Sequence, residues 1–202
     1  MTPVISFGEA LVDLLSSRLG DARCVPPDAP ETFTPYGGGA PANVAVACAR
    51  LGVPSRFLGM LGEDHFGDFL AAELAAHGVD TSGVVRTRKA RTALAFVSRD
   101  ADGERTFDFY RPPAADLLYR LEHLPAGVFA DPAIVHFCSN SLTEPEIAET
   151  TADKGLESDW HRDTAFLRRA VEIASRCGAH TVTRPGAFAA LPDRDDLARL
   201  ES

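Results

Sequence analysis

The chain has 202 residues, of which 45% are hydrophobic and 24% are charged. This is the composition of an ordinary globular protein, and the length is enough for one large domain with a buried core. The net charge is −9 and the basic residues are spread along the chain, so the sequence offers no basic surface for nucleic acid.

Two features bear on the compartment. The N-terminus lacks the charged start and long apolar stretch of a signal peptide, and no run reaches the roughly 20 apolar residues that span a bilayer. The cysteines lie far apart, form no Cys-x-x-Cys pair and are expected to be small buried residues, not disulfide or metal partners: Cys24, Cys48, Cys138 and Cys177. We therefore expect a soluble cytoplasmic protein with no membrane contact.

The first part of the chain alternates strands and helices. Apolar periodicity predicts a strand over 4–7, a helix over 42–51, a strand over 55–61 and a helix over 65–77. A second apolar run over 10–15 contains a single acid, Asp13, and residues 18–36 are predicted as a loop with several prolines. The succession of strand, glycine loop, helix, strand and helix indicates an α/β fold with a parallel sheet.

From residue 91 the pattern becomes that of a β-hairpin. Predicted strands over 92–97 and 106–110 flank Asp102-Gly103, a typical turn pair, and such a hairpin can project as a lid over a cleft. The strand and helix pattern then returns, with predicted elements over 133–138 (strand), 143–149 (helix), 165–177 (helix) and a helical tail from 193.

Three consecutive glycines, Gly37, Gly38 and Gly39, precede the helix that begins near Pro41. Glycines let a ligand approach the backbone closely, and the start of a helix is electropositive, so this loop can hold a hydroxyl-rich or anionic ligand. A tight turn is the competing interpretation. Asn43, in the first turn of the helix, carries amide donors and an acceptor, and it is a candidate either for a sugar hydroxyl or for a structural cap.

Asp13 poses a similar question, because it lies between apolar neighbours on both sides. A buried carboxylate without partners is costly. The side chain is therefore expected either to pair with donors of the protein or to accept hydroxyl groups of a ligand, and the sequence leaves both alternatives open.

A dinucleotide site is a remote alternative. Gly37, Gly39 and Ala42 fit the loose Gly-x-Gly-x-x-Gly/Ala pattern. That fingerprint needs a buried strand in front of it, and residues 31–36 make a poor buried strand. An NAD(P) enzyme is accordingly not favoured.

Five stretches stand in an order and spacing that are specific together: 7–13 (FGEALVD), 38–45 (GGAPANVA), 57–67 (FLGMLGEDHFG), 92–97 (TALAFV) and 109–116 (FYRPPAAD). They resemble the PfkB/ribokinase family of carbohydrate kinases, and most of all its bacterial fructokinases, almost without a break over residues 4–150. The resemblance implies a ribokinase-like three-layer α/β/α fold with a central, mostly parallel sheet and a small β-hairpin lid.

The resemblance also implies where a sugar binds, namely between the central sheet and the lid. The positions implied to contact it are Asp13, Gly38, Gly39, Asn43, Phe96, Phe109, Arg111 and Ser139. Among them Phe96, Phe109 and Arg111 belong to the lid. Arg111 is in addition a candidate for a phosphate, with a solvated surface arginine as the alternative. ATP with Mg²⁺ would phosphorylate a primary hydroxyl of a ketohexose such as fructose, and a homodimer through the lid is expected.

Two family motifs have no counterpart. Neither a D-x-N-x-R-like motif nor the G-A-G-D motif, whose aspartate acts as general base, occurs between residues 100 and 202. Residues 165–192 nevertheless resemble the last helix and closing turn of the same kinases. We therefore expect a sugar-binding part over 1–150, with lid strands around 10–36 and 91–111, joined to a helical tail over 151–202 without most of the nucleotide site.

That arrangement predicts an incomplete core, an uncovered sheet edge and impaired catalysis, with no catalytic residue identified. A non-catalytic sugar-binding or dimerising relative is the alternative. The isolated chain is expected to be marginally stable or to self-associate.

Overall fold

The computed structural model describes residues 2–19, 28–99, 104–111, 113–131, 133–152, 188–193, 195, 196 and 199. The strands in these ranges are β1 (Val4–Phe7), β2 (Leu11–Ser16), β3 (Phe33–Gly38), β4 (Ser55–Gly62), β5 (Asp80–Thr87), β6 (Leu94–Arg99), β7 (Arg105–Tyr110) and β8 (Ile134–Phe137). The α-helices are α1 (Ala40–Arg50), α2 (His65–Ala76) and α3 (Pro145–Ala152). Short 3₁₀ turns lie at Ser17–Leu19, Ala115–Leu118, Leu121–His123, Ser139–Leu142 and Phe188–Ala190.

The central sheet has the order β5-β4-β1-β8, and all of its neighbouring strands are parallel. The side chains of β4 alternate between its two faces. Phe57 and Leu61 pack with α1 and α2, whereas Leu58 and Met60 pack with the Ala115–Leu118 turn and with Ile147 of α3. Elements therefore cover both faces of the sheet, which confirms the expected three-layer α/β arrangement.

A second four-stranded sheet has the order β3-β2-β6-β7 and is called the lid sheet below. β2 pairs parallel with β6 and antiparallel with β3, while β6 and β7 form the predicted antiparallel hairpin. The predicted loop over 18–36 is wrong at its end, because residues from Phe33 onward pair with β2 as β3. The predicted hairpin turn at residues 102 and 103 lies outside the described residues.

The register of the lid sheet decides which side chains share a face. Asp13 is paired with Tyr36 on one side and Ala95 on the other, and Ala95 is paired with Phe109. Phe96 is paired with Leu14, the residue after Asp13. Because side chains alternate along a strand, Asp13 and Phe109 lie on one face of the sheet and Phe96 lies on the other.

Four further predictions concern the C-terminal part of the chain, the cysteines, membrane contact and the sheet edge. The predicted helix over 165–177 and almost all of the predicted tail lie outside the described residues. Cys48 and Cys138 are free thiols, and each is only partly buried, whereas fully buried residues were expected. In the part of the chain that the structure describes, no helix is long and apolar enough to cross a membrane. β8 ends the described central sheet with two apolar side chains in solvent, Ile134 (58% exposed) and Phe137 (39% exposed).

Candidate functional site

The candidate site lies at the carboxyl end of the central sheet, where the chain leaves the adjacent parallel strands β1 and β8. Ligands of open α/β sheets bind in this kind of crevice. The segment after β1 and the Ser139–Leu142 turn after β8 meet there. A Cβ atom on Gly8 would lie 2.6 Å from Ser141 Oγ and 2.8 Å from Pro41 Cγ, so the turn packs closely against the start of α1.

Residues 37–39, called the glycine bend, join the lid sheet to α1, and two of the three positions require glycine. Gly39 has φ 98°, and a Cβ atom there would lie 2.6 Å from the backbone oxygen of Glu9. A Cβ atom on Gly38 would lie 2.2 Å from Asp13 Oδ2. The structure therefore brings Asp13 against the bend, and only a residue without a side chain leaves room for its carboxylate.

Asn43 lies one turn into α1, and its backbone N–H donates to the Gly39 oxygen over 2.8 Å. Gly39 is the N-cap residue of α1 and no side chain caps the helix there, so Asn43 does not act as the structural cap. Its Oδ1 atom is buried and has no hydrogen-bond partner in the described part of the chain. An unpartnered buried acceptor costs free energy that a hydroxyl donor would recover.

Asp13 is a second acceptor for which the described residues provide no donor. Burial raises the pKa of its carboxyl group from 3.8 to about 6, and among the described residues no donor contacts the carboxylate. Of the two alternatives open at the sequence level, pairing with protein donors is therefore not observed in the described part of the chain. The carboxylate is left for a donor from outside.

The lid residues divide between the two faces of the lid sheet. Phe109, on the Asp13 face, is 58% exposed and stacks on Phe107 with ring centroids 6.1 Å apart. Phe96, on the opposite face, packs edge-on against Phe33 at 5.0 Å and against Tyr110 at 5.3 Å. Phe109 is thus placed to cover a ligand at Asp13, whereas Phe96 contributes to the core beneath the lid sheet.

Arg111 and Ser139 occupy contrasting positions. Arg111 is not a solvated surface arginine, because its Nε lies 2.7 Å from Asp116 Oδ2 and its Nη2 lies 3.4 Å from the backbone oxygen of Asn140. Ser139 is exposed and begins the turn after β8. Its neighbours Asn140 and Ser141, not Ser139 itself, make the described contacts with the segment after β1.

Glu9 is a functional candidate that sequence analysis did not single out. Its side chain is 2% exposed and accepts hydrogen bonds from Cys138 Sγ at 3.2 Å and from Asn140 Nδ2 at 3.2 Å. Asp116 lies close to it: burial raises the pKa of Asp116, the Glu9 charge adds to that effect and Arg111 opposes it. An acid just after a buried strand, at the turn before the apolar run over 10–15, was the available signal; Asp13 was identified by a different one, as the single acid inside that run.

Within the described ranges, no three metal-ligating side chains lie together.

Comparisons of the sequence and of the structure with known proteins find the same class of relatives, sugar kinases. Residues 1–166 match the pfkB family carbohydrate kinases. Fructokinase-1 of Zea mays is 43% identical over 194 residues, which cover 96% of this chain and 54% of that protein. The fructokinase structure from Xylella fastidiosa is 54% identical, with a TM-score of 0.70 over 75% of this chain and 45% of that chain. The chain thus spans about half the length of these relatives.

Two further structures carry ligands. A Xylella fastidiosa fructokinase with bound ATP is 53% identical, with a TM-score of 0.69 over 75% of this chain and 46% of that chain. A Vibrio cholerae O395 fructokinase bound to fructose, ADP and calcium is 35% identical, with a TM-score of 0.63 over 76% of this chain and 46% of that chain.

Proposed function

The chain belongs to the pfkB family of carbohydrate kinases, and from that premise we propose that it binds the sugar in a fructokinase reaction. In that reaction ATP phosphorylates a primary hydroxyl of a ketohexose such as fructose. The observation that carries the proposal is that two acceptors beside the glycine bend, the Asp13 carboxylate and Asn43 Oδ1, have no donor among the described residues.

Each element of the site has a role in holding a neutral polyol. Hydroxyl groups of the sugar donate to the Asp13 carboxylate and to Asn43 Oδ1, which recovers the cost of burying both acceptors. The uncapped N-terminus of α1 offers backbone N–H groups to hydroxyl oxygens. Phe109, on the same face of the lid sheet as Asp13, covers the ligand and excludes water.

The use of ATP and Mg²⁺ is proposed from the family and from the ligands of the related structures. The described residues hold no metal-ligating cluster, so none of them is assigned to Mg²⁺. The sequence also carries no G-A-G-D motif between residues 100 and 202. We accordingly propose that this chain binds sugar while its turnover of ATP is impaired, and a coupled assay of ADP formation by the pure chain tests that part.

Isothermal titration with fructose tests the sugar site. Asp13→Ala and Asn43→Ala should each weaken fructose binding by about tenfold or more, because each removes a hydrogen bond to a buried site. Asp108→Ala is the matched control, since Asp108 is an exposed acid paired with Phe96 on the opposite face of the same lid sheet. Equal affinities in all three variants would remove the proposed site.

A homodimer through the lid is the second part of the proposal. Support comes from three aromatic side chains in solvent at the end of the lid sheet, Phe107 (52% exposed), Phe109 (58%) and Tyr110 (65%). Exposed apolar surface of this kind marks an interaction site. Light scattering should give twice the monomer mass for the wild type and a reduced mass for Phe107→Glu, with Arg105→Glu as a charge control on the same strand.

A further inference from the structure

The charge of Arg111 is balanced inside the protein. We infer that Asp116 is a specificity-determining residue: by pairing with Arg111 it restricts the site to uncharged sugars and excludes sugar acids. The inference rests on the proposed sugar site and deepens it, because it names the class of sugar that the site accepts.

The pair is buried and its geometry is strong. Arg111 Nε lies 2.7 Å from Asp116 Oδ2, and the two side chains are only 11% and 2% exposed. The other oxygen of Asp116, Oδ1, is buried and has no partner among the residues that the structure describes. Within the described part of the chain, Arg111 is thus the partner of this carboxylate.

Two residues, Asn140 and Glu9, connect the Arg111–Asp116 pair to the glycine bend. Arg111 Nη2 lies 3.4 Å from the Asn140 backbone oxygen, and Asn140 Nδ2 donates to Glu9 over 3.2 Å. The backbone of Glu9 in turn packs against Gly39. Arg111 therefore lies in the wall of the candidate site, and an unneutralised guanidinium there would act on a bound sugar.

The charges in this wall determine whether a neutral or an anionic sugar can bind beside it. Asp116 pairs with the Arg111 guanidinium, and a second acid, Glu9, lies near enough for its charge to contribute to the raised pKa of Asp116. Within the described ranges, these contacts leave no positive charge in this wall for an anionic ligand, and a carboxylate on the sugar would meet two acids in a poorly solvated place. Hydroxyl groups carry no such penalty.

The test compares two sugars that differ in one group. Fructose has a hydroxymethyl group at C1, and 2-keto-D-gluconate has a carboxylate at that position. Wild-type chain should bind fructose more tightly than 2-keto-D-gluconate in isothermal titration. Asp116→Asn keeps the size of the side chain but frees the guanidinium, and should raise the affinity for 2-keto-D-gluconate by about tenfold or more, since guanidinium–carboxylate bonds are charge-assisted.

A double variant, Arg111→Gln with Asp116→Asn, is the matched control and should show no gain for the anion. Equal binding of both sugars by the wild type overturns the inference without needing any variant, and so does a folded Asp116→Asn protein whose discrimination is unchanged. Failure of the wild type to bind either sugar has a different meaning, because it removes the proposed sugar site on which the inference rests.

Discussion

Two acidic regions of this chain lie on either side of the glycine bend and differ in how their charges are satisfied. Asp13 is partly buried, has no donor among the described residues, and has a pKa raised to about 6. Asp116 is more deeply buried, yet it holds Arg111 at 2.7 Å, and its neighbour Glu9 accepts from Cys138 and Asn140. The comparison separates an acid without a donor among the described residues, which we propose binds the sugar, from acids that already have protein partners.

The local structure explains the difference. Asp13 projects from a strand whose backbone groups are already paired with β3 and β6, so the sheet offers it no donor. Asp116 lies in a 3₁₀ turn that follows the lid strand β7 by a few residues, which places it within reach of Arg111 at the end of that strand. The free energy of unfolding should therefore fall when Asp116 loses its partner Arg111, and it should rise when Asp13 loses its charge.

The largest expected effect comes from breaking the paired region. Arg111→Ala leaves the carboxylate of Asp116 buried without its cation, and should lower the free energy of unfolding by about 3 kcal/mol. Urea unfolding followed by circular dichroism measures the loss. Arg88→Ala, which removes an exposed ion pair with Glu63, is the control and should cause no measurable change; similar losses in both variants would contradict the account.

An intermediate effect is expected from displacing the unpaired acid. Gly38→Ala adds a methyl group whose carbon would lie only 2.2 Å from Asp13 Oδ2. Because this is closer than two unbonded atoms can approach, the carboxylate must move. Fructose affinity should fall by about tenfold, comparable to the loss of one hydrogen bond to a charged group.

The control for that variant creates an equal overlap far from the site. A Cβ atom on Gly83 in β5 would lie 2.2 Å from Leu58 Cδ2. Gly83→Ala should therefore disturb packing without changing fructose affinity in isothermal titration. A loss of affinity in Gly83→Ala as large as that in Gly38→Ala would mean that the binding effect is indirect.

A third expected effect concerns pH. The Asp13 carboxyl group titrates near 3.8 in an unfolded chain and near 6 in the folded one. Its raised pKa contributes stability that is fully present below pH 3.8 and is lost as the pH rises through 6. Asp13→Asn should therefore gain stability relative to the wild type as the pH rises from 4 to 6, and the difference should level off above that.

Urea unfolding of both proteins at pH 4, 5, 6 and 7 measures this difference. Asp108→Asn, which alters an exposed acid of the same lid sheet, serves as the control and should show no such trend. A constant difference between wild type and Asp13→Asn across the whole range would mean that burial does not perturb Asp13.

The sequence predicted the strongly periodic elements well. The helices over 42–51 and 65–77 and the strand over 55–61 were found within two residues of their ends, because their apolar residues repeat clearly. β5 was missed because it is an edge strand that begins with the polar residues Asp80, Thr81 and Ser82. β3 was predicted as loop because it is mostly exposed, and only its pairing with β2 makes it a strand.

The site was predicted in part for the same kind of reason. Asp13 and Gly38 do lie together, since each stood out as an exception within its own segment. That Phe96 and Phe109 lie on opposite faces follows from how β6 pairs with β2 and β7, which no single segment encodes. The Arg111–Asp116 pair likewise depends on a turn geometry that the intervening prolines and alanines do not reveal.

The central claim is that Asp13 accepts hydroxyl groups from a sugar. Its most direct test is the pKa of the Asp13 carboxyl group with and without saturating fructose. The ¹³C NMR chemical shift of the carboxyl carbon reports this titration. The account predicts a value near 6 in the free protein and a value about one unit lower with fructose bound, because donated hydrogen bonds favour the charged form. An Asp13 titration that fructose leaves unchanged would contradict it.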